Sequence, residues 1–206
     1  MKKPFLVSLL LAGWFVSTGT LPAIAGDDEV LGRLQRLSSG IETLSSEFVQ
    51  EKYLSVFKDM VVSRGRFCFK KPDTLRWELT KPVATGFVLK GKEGRRWHER
   101  TGLNEKFDIN REPVIRIVAQ QLMAWTRADF DRLRKEYRIA VISENPVTLR
   151  LDPLFGTGGF LDHLRIAFSE DGRHVKIVEL REKDGDFTRI RFENTLVNQS
   201  LPDGLF

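Results

Sequence analysis

Apolar and polar residues alternate between residues 44 and 89, and this period of two is typical of β-strands. In the segment GRFCFK, Phe67 and Phe69 share one face, while Arg66 and Lys70 lie beside Cys68 on the other. The next segment repeats the pattern after the turn sequence KPD, with these residues on its apolar face: Leu75, Trp77 and Leu79. We predict a β-hairpin with one apolar and one charged face, as in antiparallel sheets that are solvated on one side.

The same alternation predicts strands elsewhere in the chain. Phe87 begins one further strand, and Trp97 lies in another. In the C-terminal half, strands are predicted at residues 147–151, 164–168, 175–180 and 187–192. Asp-Gly pairs at 171–172 and 184–185 separate the last three of these strands, and such pairs favour tight hairpin turns. The chain is therefore predicted to be mainly β.

A helical period of three to four residues occurs in two places. Residues 27–40 have leucines at positions 31, 34 and 37, acidic residues at their start and Gly40 at their end, which predicts one amphipathic helix. Residues 112–137 carry a wide apolar stripe that consists of Val114, Ile117, Val118, Leu122 and Trp125. The segment from Thr126 to Asp129 resembles a capping box, which predicts a break near Trp125 and a second helix. That second helix is predicted to contain Phe130, Leu133 and Tyr137.

The first 25 residues have the pattern of a secretory signal peptide. Lys2 and Lys3 precede a short apolar run, and Ala23-Ile24-Ala25 is a typical cleavage site. The apolar run is short for a membrane span. We expect cleavage after Ala25, export from the cytoplasm and a single domain over residues 26–206. The residue directly after the cleavage site is Gly26 and not a cysteine, so we expect the mature N-terminus to carry no lipid anchor.

Composition argues against several classes of function. The formal charge of +5 falls to +3 without Lys2 and Lys3, and the remaining charges are interspersed, so we do not expect nucleic-acid binding. Cys68 is the single cysteine, which excludes an intramolecular disulfide and a thiolate metal site. The histidines have no metal-ligand spacing, and the chain has no Gly-x-Ser-x-Gly motif. We therefore expect a binding protein rather than an enzyme, with no metal and no cofactor.

The remaining signal is the amount of apolar surface on one side of the predicted sheet. A single curved sheet has one concave face, and a broad apolar helix can cover that face without filling the space beneath. The result is an apolar cavity with few polar groups, which suits a small ligand. The alternative is that these aromatic residues form an ordinary core.

Several segments resemble the outer-membrane lipoprotein carrier family, LolA. The longest are SSEFVQEKYLSVF at residues 45–57 and SRGRFCFKKPDTLRWELTKP at residues 63–82. DGDFTRIRFEN at residues 184–194 and LPDGLF at residues 201–206 are also similar to this family. The resemblance implies an unclosed antiparallel β-barrel, or half-barrel, with an N-terminal helix and a helical lid over the concave apolar face.

The resemblance also implies a function and a set of partners. It implies a soluble, monomeric periplasmic chaperone that binds the acyl chains of lipoproteins and carries them from the inner to the outer membrane. The implied partners are acylated lipoproteins, an inner-membrane lipoprotein-releasing transporter and an outer-membrane lipoprotein receptor. Two alternatives remain open: a carrier of another amphiphile, such as a glycolipid or a pigment–lipid conjugate, and an envelope-stress sensor of the same fold.

The strand periods and the resemblance together predict a ligand-binding set. On the sheet, the cavity wall is expected to consist of Phe48, Phe67, Phe69, Leu75, Trp77, Leu79, Phe87, Trp97, Phe168, Ile190 and Phe192. The lid, from about residue 112 to 137, is expected to contribute Leu122, Met123 and Trp125. The family has an arginine in the turn where this chain has Lys71. The resemblance implies that Lys71 donates hydrogen bonds to backbone carbonyls of the lid and acts as its switch.

Overall fold

The computed structural model describes residues 26–56, 59–154, 159 and 161–206. The predicted signal peptide lies outside the described residues. The described helices are α1 (Asp27–Ser39), α2 (Pro113–Arg127) and α3 (Phe130–Leu133). The described strands are β1 (Thr43–Leu54), β2 (Asp59–Lys70), β3 (Thr74–Lys81), β4 (Thr85–Lys90), β5 (Glu93–His98), β6 (Leu103–Asp108), β7 (Tyr137–Glu144), β8 (Val147–Pro153), β9 (Leu161–Phe168), β10 (Val175–Glu182) and β11 (Phe187–Val197). Short 3-10 helices, Glu99–Thr101 and Ile109–Arg111, flank β6.

The strands form one antiparallel sheet in the order β6-β5-β4-β3-β2-β1-β11-β10-β9-β8-β7. The edge strands β6 and β7 are not paired with each other, so the sheet is not closed. The predicted mainly β architecture, an unclosed half-barrel with an N-terminal helix and further helices, is therefore confirmed.

The position of α2 and α3 follows from this strand order. β6 and β7 are consecutive in sequence but lie at opposite edges of the sheet, so the segment that joins them must cross the sheet. That segment contains both helices, and its buried residues belong to the same core as the apolar strand residues. The buried apolar residues of the crossing segment are Ile109, Ala119, Leu122, Ala124, Trp125, Ala128, Phe130 and Leu133. The crossing therefore lays a helical cover over the concave face.

The strand register shows which residues face this cover. Residues directly opposite one another in an antiparallel pair share a face of the sheet. Phe67 pairs with Trp77, and Trp77 pairs with Phe87. At the centre of the sheet, Phe48 pairs with Phe192. These residues lie on the concave face, and the charged residues between them lie on the convex face, as the alternation in β2 and β3 predicts.

Helix α1 lies across one end of the curved sheet. Ser38 Oγ donates a hydrogen bond to the carbonyl of Arg173 in the β9–β10 turn (3.1 Å). Lys71 Nζ, in the β2–β3 turn, donates to the carbonyl of Ser39 (2.7 Å). These two turns are at the same end of the sheet, which we call the α1 end. The opposite end, where the β1–β2 and β10–β11 turns lie, we call the hairpin end.

The crossing segment differs from its sequence prediction. Tyr137 begins β7 instead of belonging to a second helix, and α3 has four residues. Thr126 is inside α2, where its hydroxyl donates to the carbonyl of Leu122 (2.7 Å). The cap of α3 is Asp129, whose carboxylate accepts from the backbone N–H of Arg132 (3.1 Å). Ala128, with a φ of 49°, ends α2 in the left-handed conformation.

Strand β6 was not predicted. Four of its six residues are exposed in succession, and Phe107 is its one buried residue. An edge strand of this kind shows no clear alternation in its sequence. Within the described residues, no helix has both the length and the apolar character that crossing a bilayer requires.

Candidate ligand-binding cavity

A cavity of about 790 Å³ lies between α2 and the concave face, toward the hairpin end. Its floor comes from β1, β3, β9, β10 and β11, its roof from α2, and one side from the start of β7. The lining residues are Gln50, Trp77, Ile117, Val118, Gln121, Leu122, Trp125, Glu136, Tyr137, Leu161, Leu164, Leu180, Thr188 and Ile190. The volume falls within the range of about 300–1,000 Å³ that is typical of small-ligand sites.

The floor of the cavity is formed by cross-strand neighbours. Gln50 pairs with Ile190, and Thr188 pairs with Leu180, which in turn pairs with Leu164. All five side chains are aliphatic or small and polar. They fill less of the concavity than aromatic rings would, and the space between them and α2 remains empty.

Apolar residues of α2 surround the mouth of the cavity. Ile117 and Val118 both line the cavity and face solvent, with exposed fractions of 58% and 39%. Val114, one turn earlier on the same face of the helix, is 72% exposed. A flexible apolar ligand that enters beside α2 therefore meets apolar side chains before it reaches the interior.

Besides Gln50 and Thr188 on the floor, the cavity has polar residues beside α2. Gln121 Nε2 donates a hydrogen bond to Glu136 Oε2 (2.7 Å). Gln121 Oε1 and Trp125 Nε1 are buried and have no hydrogen-bond partner among the described residues. Burial, and secondarily the negative charge of Glu136, raise the pKa of the Tyr137 phenol above its ordinary value. The cavity is thus a mainly apolar space whose lining includes one acidic residue, Glu136, and the polar residues Gln50, Gln121 and Thr188.

A second depression of about 360 Å³ lies on the other side of α2 and shares Trp77 and Val118 with the cavity. Arg96 is on its wall, where it pairs with Glu112 (2.8 Å) and with Glu105. The hydrogen bond with Glu105, and further interactions with both glutamates, raise the pKa of Arg96. Arg96 therefore keeps its positive charge, and the carboxylates of Glu105 and Glu112 already balance that charge. Among the described residues, no group of three or more histidine, cysteine, aspartate or glutamate side chains is placed to hold a metal ion.

Residues 39–206 match the family model described as outer membrane lipoprotein carrier protein LolA. The chain belongs to this family. A match over most of the chain confirms the resemblance seen in the strand sequences. No curated protein is significantly similar to the chain in sequence.

Solved structures similar to this LolA family member have low sequence identity to it. An uncharacterized conserved protein from Thermus thermophilus has a TM-score of 0.52 at 11% identity, over 84% of this chain and 88% of that one. A LolA superfamily protein from Nitrosomonas europaea has a TM-score of 0.42 at 8% identity, over 87% and 96%. The MucA/MucB complex of Pseudomonas aeruginosa contains a chain with a TM-score of 0.45 at 12% identity, over 84% and 58%. At such identities, the similarity to the Thermus protein is one of fold alone.

Four of the predicted site residues line the cavity: Trp77, Leu122, Trp125 and Ile190. Leu79 and Phe87 line the second depression instead. Met123 is partly buried and packs against the core. The structure therefore brings two of the three predicted roof residues, Leu122 and Trp125, together with two residues of the predicted floor.

The remaining predicted residues on the concave face are packed as core. They are Phe48, Phe67, Phe69, Leu75, Phe168 and Phe192, each with an exposed fraction of 6% or less. Between Phe67, Phe192 and the roof residues, a crevice of about 20 Å³ remains, which is too small for an acyl chain. These residues support the cavity from the side of the α1 end rather than lining it.

Trp97 does not lie on the concave wall, and its predicted position is wrong. In the register of β4 and β5, Arg96 pairs with the concave residue Phe87, so Trp97 falls on the convex face. Although Trp97 reaches the border of the second depression, its ring lies 4.8 Å from the guanidinium of Arg76, a convex residue. The alternation in this strand was assigned one residue out of register, which exchanges the two faces.

Lys71 does not make the contact that the LolA resemblance implies. Its ammonium group binds the carbonyl of Ser39 and the carboxylate of Glu42 (2.9 Å), at the end of α1 and the start of β1. Neither residue belongs to α2 or α3. Lys71 lies at the α1 end, whereas the cavity lies toward the hairpin end.

Several cavity residues were not predicted as site residues. Leu164 and Leu180 lie in predicted strands, on the same face as buried core residues, and an extended alternation could have identified them. Gln50 is two residues beyond Phe48 on the same face and was missed because it is polar. Glu136 and Tyr137 were missed because this segment was assigned to a helix.

Proposed function

We propose that this protein is a soluble periplasmic chaperone that binds the acyl chains of lipoproteins beneath α2 and carries them from the inner to the outer membrane. The observation that carries this proposal is the cavity of about 790 Å³, whose floor and roof are mainly apolar. Membership of the LolA family supports it.

The physical requirement for such a carrier is strong. Each CH₂ group of an acyl chain that is exposed to water costs about 0.8 kcal/mol, so a lipoprotein with several chains cannot cross an aqueous compartment unshielded. A cavity roofed by one helix can cover a chain and release it without covalent chemistry. The exposed apolar residues at its mouth give the chain a route in and out.

This function requires a donor and an acceptor of the cargo. In our proposal, an inner-membrane lipoprotein-releasing transporter supplies the lipoprotein, and an outer-membrane receptor accepts it. The carrier acts as a monomer between them. Its periplasmic location depends on the predicted signal peptide.

Native mass spectrometry of the protein purified from the periplasm tests the proposal. We expect acylated lipoprotein to be released from the parent protein. Thr188→Trp, which fills the floor of the cavity, should lose this cargo. Thr148→Trp is the matched control, because Thr148 is a strand residue on the convex face that pairs with Ala167.

The same experiment separates the proposal from its main alternative. Release of a glycolipid or a pigment–lipid conjugate would assign the cavity to another amphiphile. A parent protein that carries no lipid of any kind, and whose α2 amides exchange hydrogen at the same rate with and without added acyl ligand, would contradict the proposal.

A further inference from the structure

A depression of about 540 Å³ lies on the convex face of the sheet, across strands β7 to β11. It lies behind the cavity, because several of the same strands line both. In β9, Leu164 lines the cavity and the next residue, Arg165, lines the depression. In β11, Ile190 lines the cavity, and Arg189 and Arg191 on either side of it line the depression. A molecule bound in this depression, which we call the convex depression, therefore leaves the cavity and α2 uncovered.

The charged residues of the convex depression are three arginines and one glutamate: Arg165, Arg189, Arg191 and Glu179. Glu179 accepts hydrogen bonds from Arg181 (2.7 Å) and Arg189 (2.9 Å). Burial alone would raise the pKa of Glu179, but these hydrogen bonds outweigh it and hold the pKa below its ordinary value. The carboxylate is therefore ionised at neutral pH, and its charge is balanced by two arginines other than Arg165 and Arg191.

Arg165 lies in the convex depression without an acidic partner among the described residues. Its side chain is exposed and forms no hydrogen bond or ion pair with the part of the chain that the structure describes. Its cross-strand neighbours are Glu179, which binds other arginines, and Arg150 in β8. Like charges directly opposite each other destabilise a sheet. Arg150 pairs with Asp152 (2.8 Å), so the charge that remains unbalanced is that of Arg165.

Arg191 is weakly balanced. Its ion pair is with Glu51, at a distance of 4.0 Å between Nη2 and Oε1. The same carboxylate also contacts Arg189 (3.4 Å). Arg165 and Arg191 thus both retain donors for an external anion, and a guanidinium group binds carboxylates through paired hydrogen bonds.

Apolar side chains lie among these arginines. Ile142 is 43% exposed, and Ala167 and Ile177 are partly buried. Arg165 and Arg191 are two strands apart, which is about 10 Å across the sheet. Acidic side chains two to four positions apart on one face of an extended segment are separated by about 7–13 Å, so one such segment can reach both arginines.

We infer that the convex depression is a docking site for an extended, acidic segment of another protein. The carboxylates of the segment pair with Arg165 and Arg191, and its apolar side chains contact Ile142 and Ile177. A recess of this size admits a chain segment, whereas the flat surface of a bilayer contacts the side chains that protrude most. The inference does not rest on the proposed function, because docking here requires no lipid in the cavity.

The test uses the purified mature protein and a short, fluorescently labelled peptide in which glutamate and valine alternate. The control peptide has glutamine in place of each glutamate. By fluorescence anisotropy at low ionic strength, we expect the glutamate peptide to bind at least about tenfold more tightly than the glutamine peptide. Added salt should weaken its binding, because the arginines are exposed to solvent.

A double variant assigns this binding to the two arginines. Arg165→Gln combined with Arg191→Gln should weaken binding of the glutamate peptide at least about tenfold. Arg33→Gln combined with Arg36→Gln is the matched control, because it removes the same charge from exposed positions of α1. The control should bind the peptide within about twofold of the parent protein.

A second pair of variants separates the convex depression from the cavity. Thr148 lines the depression and Thr188 lines the cavity. Thr148→Trp should lose the peptide and keep the palmitate binding of the parent protein, as measured by native mass spectrometry. Thr188→Trp should lose palmitate and keep the peptide. Urea denaturation of each variant checks that it is folded.

The outcomes separate this inference from the proposed function. Equal binding of the two peptides, or an Arg165/Arg191 double variant that binds like the parent protein, would overturn the inference and leave a solvated arginine face. So would a parent protein that ignores the peptide but binds phosphatidylglycerol vesicles through the same two arginines, because the partner is then a membrane. A parent protein that binds the glutamate peptide as expected but no acyl compound would contradict the proposed function and leave the docking site standing.

Discussion

The α1 end and the hairpin end of the concave face are built on the same strands but are filled differently. At the α1 end, Phe69 and Leu75 are completely buried, and a crevice of about 20 Å³ is what remains near Phe67 and Phe192. At the hairpin end, the floor residues beside Leu180 enclose about 790 Å³ under the same helix. The concave face of the sheet is therefore packed as core at the α1 end and forms the floor of a cavity at the hairpin end.

Side-chain size explains the difference. Phe48, Phe67, Trp77 and Phe192, which we call the aromatic cluster, fill the concavity in the middle of the sheet. The Phe48 and Trp77 rings stack with centroids 4.1 Å apart, and Phe192 contacts both. Beyond the cluster, the residues facing α2 are too short to reach it. An apolar concave face is thus necessary for a cavity. The size of its side chains and the position of the covering helix decide whether the space above it is filled.

Removing the same atoms from the two ends should give the largest contrast. Leu75→Ala at the α1 end should lower the free energy of unfolding by about 2–5 kcal/mol, because it leaves a new void in a packed core. Leu180→Ala at the hairpin end enlarges a space that already exists and should cost about 1 kcal/mol or less. Urea denaturation of both variants measures this contrast. Equal losses would show that the hairpin end is packed as tightly as the α1 end.

Adding atoms beside the aromatic cluster should have the next largest effect. Gly65 has no side chain, and a Cβ there would lie 2.3 Å from the Phe48 ring and 2.2 Å from the carbonyl oxygen of Glu78. Gly65→Ala should therefore destabilise the protein by about 1–3 kcal/mol through overpacking.

Gly40→Ala is the control for this substitution, because a Cβ at Gly40 meets nothing within 4 Å. The transition midpoint in urea should shift for Gly65→Ala and stay nearly constant for Gly40→Ala. If Gly65→Ala left the free energy of unfolding unchanged, the aromatic cluster would be able to move aside, which contradicts the rigid packing assigned to it.

Lys71→Leu tests whether the α1 end influences the cavity at a distance. The ion pair with Glu42 is solvent-exposed, with side-chain exposures of 32% and 67%, so its loss should cost about 1 kcal/mol or less. Because Lys71 binds α1 and not α2, acyl-probe affinity should be unchanged. Uptake and release rates of a lipid probe measure this. Trapping of cargo by Lys71→Leu would restore the switch role that the family resemblance implies.

The smallest expected effect is a spectroscopic one at the hairpin end. Glu136→Gln should lower the pKa of Tyr137 toward its ordinary value of 10.0 without reaching it, because burial, the larger cause of the shift, remains. Tyrosinate should therefore form at lower pH than in the parent protein. A titration of ultraviolet absorbance, with Tyr137→Phe subtracted, measures the shift. An unchanged titration would contradict the influence of the Glu136 charge on the Tyr137 phenol.

The architecture was largely predictable because it depends on patterns that are local in sequence. Alternation placed Phe67, Phe69 and Trp77 on one face, and the Asp-Gly pairs marked the turns at Gly172 and Gly185, where φ is 70° and 94°. The family resemblance supplied the open sheet and its helical cover. Trp97 shows the limit of this reasoning, since a strand with charged and aromatic residues at adjacent positions does not identify its own buried face.

The cavity itself was predictable only in part. Trp77 and Ile190 were expected on its floor because they are apolar and inward-facing, but the same criterion selected Phe69 and Leu75, which are core. Whether an inward residue lines a space depends on what lies opposite, and that depends on where the α2–α3 segment crosses the sheet. The polar wall residues Gln121 and Glu136 come together from a helix and a strand start, a pairing that no local pattern encodes.

The pairing of β1 with β11 has a consequence for how the molecule is made. The strands on either side of this central pair form two meanders of sequence-local hairpins, whereas Phe48–Phe192 and Gln50–Ile190 join residues from near opposite ends of the chain. Local pairings form readily, but distant ones must first overcome the entropy of closing a long loop. The floor of the cavity includes residues of both β1 and β11, so it cannot form before β11 has been synthesised and has paired with β1. A chain in which both meanders have formed but β1 and β11 have not yet paired would have no cavity, so the ability to hold a ligand arises in the last step of folding.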